Sequence, residues 1–455
     1  MIVTTARVLL IAGIAWGAFA FGAVYPWGYW PLCAVAGLVG VAGLAAIPRL
    51  APGSAGLGLA AAFVVVALAC ALQIAPLPSA TVSRLSPEAP GIQSQYRVGD
   101  PGASRPLSIS STDTARALAI FVALAVLTVG AGCLFARTGT TRVCGAIAVV
   151  GALLAMTGMV QKALAGARPL GFWTTIEGGN PYGPFVNRNH FAGWMLMAAP
   201  VCLGLLCAMV SRQTRDRQMT FRERVLWFGT PDASRVILLG AGIAIMVLSV
   251  FLSGSRSGIL GAAFGLAITS VVVWRRYAGS ARFALVGVFT AILIGVMVWT
   301  GVDQTLTRFG AAATRDYTGR TGPWTDALRV SQKYPLTGTG INTYGASMLF
   351  YQQFATEVHF SAAHNDYLQV LSEGGLLVGI PVLAAIVMLA LTIRRRFKEE
   401  TSPSTFWIRA GATIGLLAIA IQELGDFSLQ IPGNAFLFGV VCAIAIHRTP
   451  ERRRA

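Results

Sequence analysis

Charged side chains are scarce in this chain. Asp, Glu, Lys and Arg make up 12% of its 455 residues, against 55% hydrophobic. A soluble protein of that length cannot cover its surface with so little charge, which excludes an ordinary soluble fold. Paired cysteines are lacking too. Cys33, Cys70, Cys133, Cys144, Cys202, Cys207 and Cys442 all lie in or at the ends of apolar runs, and the polar loops hold none. Neither a disulfide framework nor a zinc site is expected. There is no soluble-repeat period and no low-complexity tract. Acidic residues are few, 18 against 35 basic, for a net charge of +17. Such an excess can serve nucleic-acid binding. Its distribution follows the positive-inside rule instead, so no nucleic-acid partner is expected.

What is abundant is apolar runs long enough to cross a bilayer, at about 20 residues each. The 51 glycines suit helices that approach closely within a membrane. The fold expected is all-α: one polytopic membrane domain over residues 1–455, with about twelve transmembrane helices. Spans are read at 8–24, 31–47, 57–76, 115–135, 143–164, 189–210, 236–252, 257–274, 282–301, 363–391, 406–424 and 432–447. The first run follows Arg7, and Ala18-Phe19-Ala20 is weakly like a signal cleavage site; the topology needs it as a retained span. The even connections are short and basic: Arg49; Arg137 and Arg142; Arg212 to Arg235; Arg275, Arg276 and Arg282; Arg394 to Lys398. They are assigned to the cytoplasm together with both termini. The odd connections then face outward. Two are long, residues 77–114 and 301–362. The second carries Trp324, Tyr334, Phe350, Tyr351 and Phe354, a composition that suits a folded cap of short interfacial helices.

Basic residues on the outer side run against the charge trend. Arg188 lies at the mouth of the sixth span, Arg256 in the tight turn Ser253-Gly254-Ser255-Arg256-Ser257, and Arg320 in the long loop. A guanidinium presents a planar fork of donors matched to phosphate oxygens; snorkelling toward lipid headgroups is the plainer alternative. Lys162 and Arg168 are weaker candidates. His364-Asn365-Asp366-Tyr367 opens the tenth span. A histidine there can act as general base, since its ordinary pKa lies near working pH. Asn365 can contact a sugar hydroxyl or orient the ring. The same pair read as a helix start is an amide cap.

Four elements occur in order: Asn187-x-Asn189-x-Phe191-Ala192, Ser253-x-Ser255-Arg256, Pro335-Leu336-x-Gly338-x-Gly340 and His364-Asn365-x9-Gly375. With the span pattern and the long loop, they resemble the O-antigen ligase and polymerase superfamily, most strongly over residues 181–381. Val378, followed by Gly379, departs from the family's usual Gly, Thr or Tyr three residues after the motif glycine. Glu423, Asp426 and Ile431 to Ala435 are similar to exopolysaccharide branches of that group. The resemblance implies metal-independent, inverting transfer of a glycan from undecaprenyl pyrophosphate on the periplasmic face of a bacterial inner membrane. It requires no cofactor. Carried onto this chain, it implies that Arg188, Arg256 and Arg320 hold the pyrophosphate and that His364 activates the acceptor. Asn187, Asn189, Ser255 and Asn365 would then contact or orient the glycan. The isolated acids Glu88, Asp100 and Asp113 are poorly spaced for a metal site.

The acceptor decides the name. A lipid A core makes a ligase, the reading favoured here. A carrier-linked glycan makes a polymerase, and a protein serine an oligosaccharyltransferase. The reading from another class is a lipid-linked glycan transporter or flippase. It expects internal repeats and mid-membrane charges, and the sequence has neither a two-fold symmetry nor charged span centres.

Overall fold

The computed structural model describes residues 2–46, 55–96, 104–164, 168–175, 179–213, 229–276 and 313–448, with isolated residues at 222, 226, 227, 287 and 290. The described residues form fifteen α-helices and no strand, and ten of the helices are long and apolar enough to cross a bilayer. The chain is a multi-pass helical membrane protein. The span expected at 282–301 lies outside the described residues. The last expected span is a helix of 15 residues, Pro432–Ile446.

In chain order the helices are α1 (Ile2–Phe19), α2 (Pro26–Ala45), α3 (Ala55–Ile74), α4 (Ser79–Leu85), α5 (Ala89–Tyr96), α6 (Ser111–Thr138), α7 (Thr141–Ala163) and α8 (Arg188–Gln213). They continue as α9 (Pro231–Ser253), α10 (Arg256–Arg276), α11 (Ala313–Lys333), α12 (Tyr344–Tyr351), α13 (Asp366–Glu399), α14 (Pro403–Gln422) and α15 (Pro432–Ile446). Helix α8 is the centre of the bundle, 89% buried along its span against 22% for α13. Its sequence is apolar all round, as a helix with no lipid-facing side requires. It packs against α7, α9, α10, α14 and α15. Small residues set the closest approach: a Cβ on Gly411 of α14 would sit 2.2 Å from the Pro200 carbonyl oxygen of α8. In a bilayer, where burial of apolar surface drives little association, this packing holds helices together.

The two ends of the bundle differ. At one end Arg212 Nε donates to Ser404 Oγ at 2.8 Å, and Arg276 lies 4.2 Å over the Phe406 ring. There Arg409, almost fully buried, donates to the carbonyls of Ala445, Arg396 and His447 and pairs with Glu400 at 2.7 Å. The guanidinium thereby satisfies carbonyls that the ends of α13 and α15 leave without helical partners. The other end carries a cap to which both long segments contribute. Val82, Ala89, Ile92 and Leu107 from the first share one apolar core with Ala327, Val330, Tyr334, Tyr344 and Met348 from the second.

Helix α13 has 34 residues, roughly 51 Å at 1.5 Å each, and so outruns a bilayer core of about 30 Å. It breaks at Gly375, whose φ is 53° and ψ −155°, a region essentially restricted to glycine. The amides of Leu376 and Leu377, freed by the break, donate to the carbonyls of Pro335 and Leu336 at 2.9 and 2.8 Å. In return Thr339 and Gly340 donate to the carbonyls of Ser372 and Glu373. The Pro335 to Gly340 element is therefore a plug seated in the broken helix. Gln73 of α3, fully buried, ties both sides by donating to the carbonyls of Thr337 and Glu373.

Candidate active site

The plug and the break hold the first turn of α13 at the cap end of the bundle. Asn365 caps it: its Oδ1 accepts from Leu368 N at 3.0 Å and its Nδ2 donates to the Leu424 carbonyl at 2.9 Å. The amide of Asp366 donates to the Glu423 carbonyl at 3.1 Å. The start of α13 is thus bound to the segment that follows α14. His364, just before the cap, has a φ of 53°, left-handed backbone that a non-glycine residue adopts at a cost. The indole of Trp324, from α11, donates to its carbonyl at 3.3 Å.

The residue the other functional groups share is Asp426. Its carboxylate is fully buried. Ser257 Oγ donates to Oδ2 at 3.4 Å, Phe427 N donates to Oδ1 at 2.9 Å, and an Arg320 guanidinium nitrogen lies 4.0 Å from Oδ2. His190 Nε2 is 3.8 Å from Oδ1. The Phe427 ring stands edge-on between the two histidines, 4.7 Å from His190 and 4.9 Å from His364 between centroids. Burial pushes the Asp426 carboxyl up to about 6, against the opposing pull of the Phe427 amide, Arg320, Ser257 and Asn189. Glu423 is held well above the ordinary carboxylate range, by burial first and then by the charge of neighbouring Asp366. Gln430 Nε2 donates to Asp366 Oδ1 at 2.6 Å.

The remaining sequence candidates fall around this centre. Arg188 and Arg256 are the first residues of α8 and α10, both half-buried. Each adjoins a residue packed on Asp426, Asn189 in one case and Ser257 in the other. Asn187 Oδ1 accepts from Asn189 N at 2.9 Å and shapes the entry to α8. The Asn189 carbonyl accepts from Gln422 at 2.9 Å and Ser428 at 3.4 Å. Ser255 is fully buried and its hydroxyl accepts from Gly258 N at 3.2 Å, so it is used inside the start of α10. Lys162 donates to the Leu252 carbonyl, and the Arg168 carbonyl accepts from Gln161 at 2.9 Å.

Asp426, Glu423, His190, Phe427 and Trp324 were not among the sequence-derived site residues. A signal for two of them was present. Glu423 and Asp426 are acids at the end of an apolar span, where an ionisable side chain is costly unless it has a task. Nothing in the local sequence marks Phe427, and Trp324 showed only as one of the aromatics of the long loop. Among the described residues no group of three or more His, Cys, Asp or Glu is placed to hold a metal ion.

Chemically, the arrangement suits an anion. The N-termini of α8, α10 and α13 meet here, and each adds partial positive charge to that of the arginines. A search of curated proteins finds no match to the chain. Residues 241–383 match the family described as O-Antigen ligase. That stretch contains Arg256, Arg320 and His364, while His190, Glu423 and Asp426 pack on it from outside. Over this stretch the chain is similar to the O-antigen ligase and polymerase superfamily of membrane glycan-processing enzymes.

Proposed function

We propose that this protein transfers a glycan from undecaprenyl pyrophosphate to an acceptor hydroxyl at the periplasmic face of a bacterial inner membrane. The acceptor favoured is the lipid A core, making it an O-antigen ligase. One observation carries the reading. Arg320, Ser257, Asn189 and the two histidines come from four separate parts of the chain and close around the buried carboxylate of Asp426 and its neighbour Phe427. Three helix N-termini and three arginines point to an anionic substrate there. The basic end of the bundle lies opposite, and the positive-inside rule assigns that end to the cytoplasm, which turns the site outward.

In the reaction the acceptor oxygen attacks the anomeric carbon. The bond from that carbon to the phosphate oxygen breaks with inversion, and undecaprenyl pyrophosphate leaves. The leaving group needs positive charge more than it needs a proton, and Arg188, Arg256 and Arg320 supply it. Asp426 holds Arg320 in place. His364 takes the acceptor proton, its backbone fixed by Trp324 and by the Asn365 cap. The role requires no metal.

A second acceptor, a carrier-linked glycan as in polymerases, is favoured by the Ile431 to Ala435 element. Asn434 donates to the His190 carbonyl at 2.9 Å, so that element abuts the same site. The test is transfer in proteoliposomes containing a lipid-linked glycan and either a lipid A core or a second lipid-linked glycan. Product is expected with the wild type on the lipid A core. His364→Ala is expected to lower kcat by about 10²–10⁴, the usual contribution of a general base. A His364→Ala enzyme that transfers at the wild-type rate would end the proposed mechanism. Product on the carrier-linked glycan alone would make the protein a polymerase.

A further inference from the structure

A cleft lies on the side of α11 turned away from the site. It has a volume of about 320 Å³ and is lined by Thr321, Gly322, Thr325, Asp326, Arg329, Gln353 and Phe354. Arg320 and Trp324 of the same helix face the transfer site, and the cavity begins at the next residue, Thr321. The two are separated by about one helix diameter, ~10–12 Å.

The cavity walls are built. Asp326 is 1% exposed, its Oδ1 pairs with Arg329 at 2.6 Å, and its Oδ2 accepts from the amides of Gln353 and Phe354 at 3.1 and 3.3 Å. One carboxylate thus orients the guanidinium and fastens the 352–354 segment to the helix. Gln352 Nε2 donates to the carbonyls of Phe354 and Ala355 at 3.1 and 3.0 Å, which fixes the turn that follows. The Phe354 ring packs against the helix at Gly322, where an added Cβ would come within 2.0 Å of it. Phe354 as a residue is 39% exposed. Arg329 has five N–H donors and spends one on Asp326.

Hydroxyls, an amide, a carboxylate-oriented guanidinium and one pinned aromatic face are what a sugar ring needs. Its hydroxyls find donors and acceptors, and its C–H face finds the phenyl ring. The volume lies at the lower end of small-molecule sites and leaves room for one pyranose with its hydroxyls and some water. We propose that this cleft is a saccharide subsite, taking one sugar ring of a glycan chain that extends from the transfer site over α11. The proposal rests on the glycan-transfer reading above. The ring belongs either to the donor glycan or to the acceptor, and the two are separated by experiment.

Thr325 is exposed, and Thr325→Trp fills the cleft without touching the cap core. Purified full-length protein in nanodiscs is titrated with glycan released by mild acid from the native lipid-linked pool, and in parallel with the released lipid A core oligosaccharide. Wild type and Thr325→Ser are expected to bind one of the two. Thr325→Trp is expected to bind it about tenfold more weakly, the equivalent of one or two lost hydrogen bonds. In the transfer assay the KM for that same substrate rises to a similar extent while kcat stays within about twofold. If Thr325→Trp does not fold, Gln353→Ala replaces it, since that side chain also is exposed. Binding of neither oligosaccharide by the wild type, or equal binding by wild type and filled cleft, overturns the subsite. Binding that depends on the cleft in a protein that transfers nothing upholds the subsite and removes the transfer reading instead.

Discussion

Asp426→Asn tests how the site pays for its buried carboxylate. An ordinary Asp titrates near 3.8, and here the folded value is about 6. Between those two values the folded protein keeps a proton that the unfolded chain has released. Stability therefore falls as pH rises through that window, and the whole penalty is present above it. Two units at 1.36 kcal/mol each come to roughly 3 kcal/mol, with burial the cause and Arg320 already counted against it. The groups facing the carboxylate are Arg320, His190, Glu423 and Asp366. Asparagine keeps an acceptor for the Phe427 amide and carries no charge. The variant should match the wild type near pH 4 and exceed it by up to about 3 kcal/mol near pH 8. The same variant should lose transfer activity, because Arg320 loses the charge that positions it. Stability is read by steric trapping in bicelles from pH 4 to 8, taking the difference between the two proteins so that other titrations cancel. A difference that stays flat with pH, or grows toward acid, refutes the argument.

Arg256→Lys keeps the charge but loses the bidentate fork, and donor affinity measured by binding should fall about tenfold or more. Arg409→Met strands the buried Glu400 carboxylate and three carbonyls; unfolding in detergent should show a loss of about 3–5 kcal/mol, partly restored by Glu400→Gln. Gly375→Ala forces a side chain into a positive-φ position whose Cβ would sit 2.6 Å from Gly338 N, and it should cost more than about 2 kcal/mol by the same measurement. A melting curve like the wild type's would mean that the plug of Pro335 to Gly340 is not seated as described.

Much of the architecture was legible in the sequence because lipid imposes it residue by residue. A span must be apolar over its whole length, and clusters such as Arg394 to Arg396 mark one side, so local composition carries both signals. Arg256 and His364 stood out for the same reason, as polar groups where the pattern disfavours them. Ser255 and Gly375 stood out as motif members, but their tasks were hidden: one caps a helix, and the other opens α13 for a plug supplied by Pro335 to Gly340. The first long segment showed no sign of sharing a core with the second, because Ile92 and Tyr334 are far apart in the chain.

The sequence by itself determined the class of protein, the spans found among the described residues, the segregation of positive charge and the helix start at Asn365. Each follows from properties of neighbouring residues, namely apolar length, charge and capping chemistry. Only the tertiary structure decided that Asp426 is the shared partner of Ser257, Arg320 and His190, that Phe427 separates the two histidines, and that α11 carries a cleft on its other side. Those contacts join residues up to 237 positions apart, Phe427 with His190. They exist because helix ends converge where the bundle meets its cap, and no local pattern records which ends will meet.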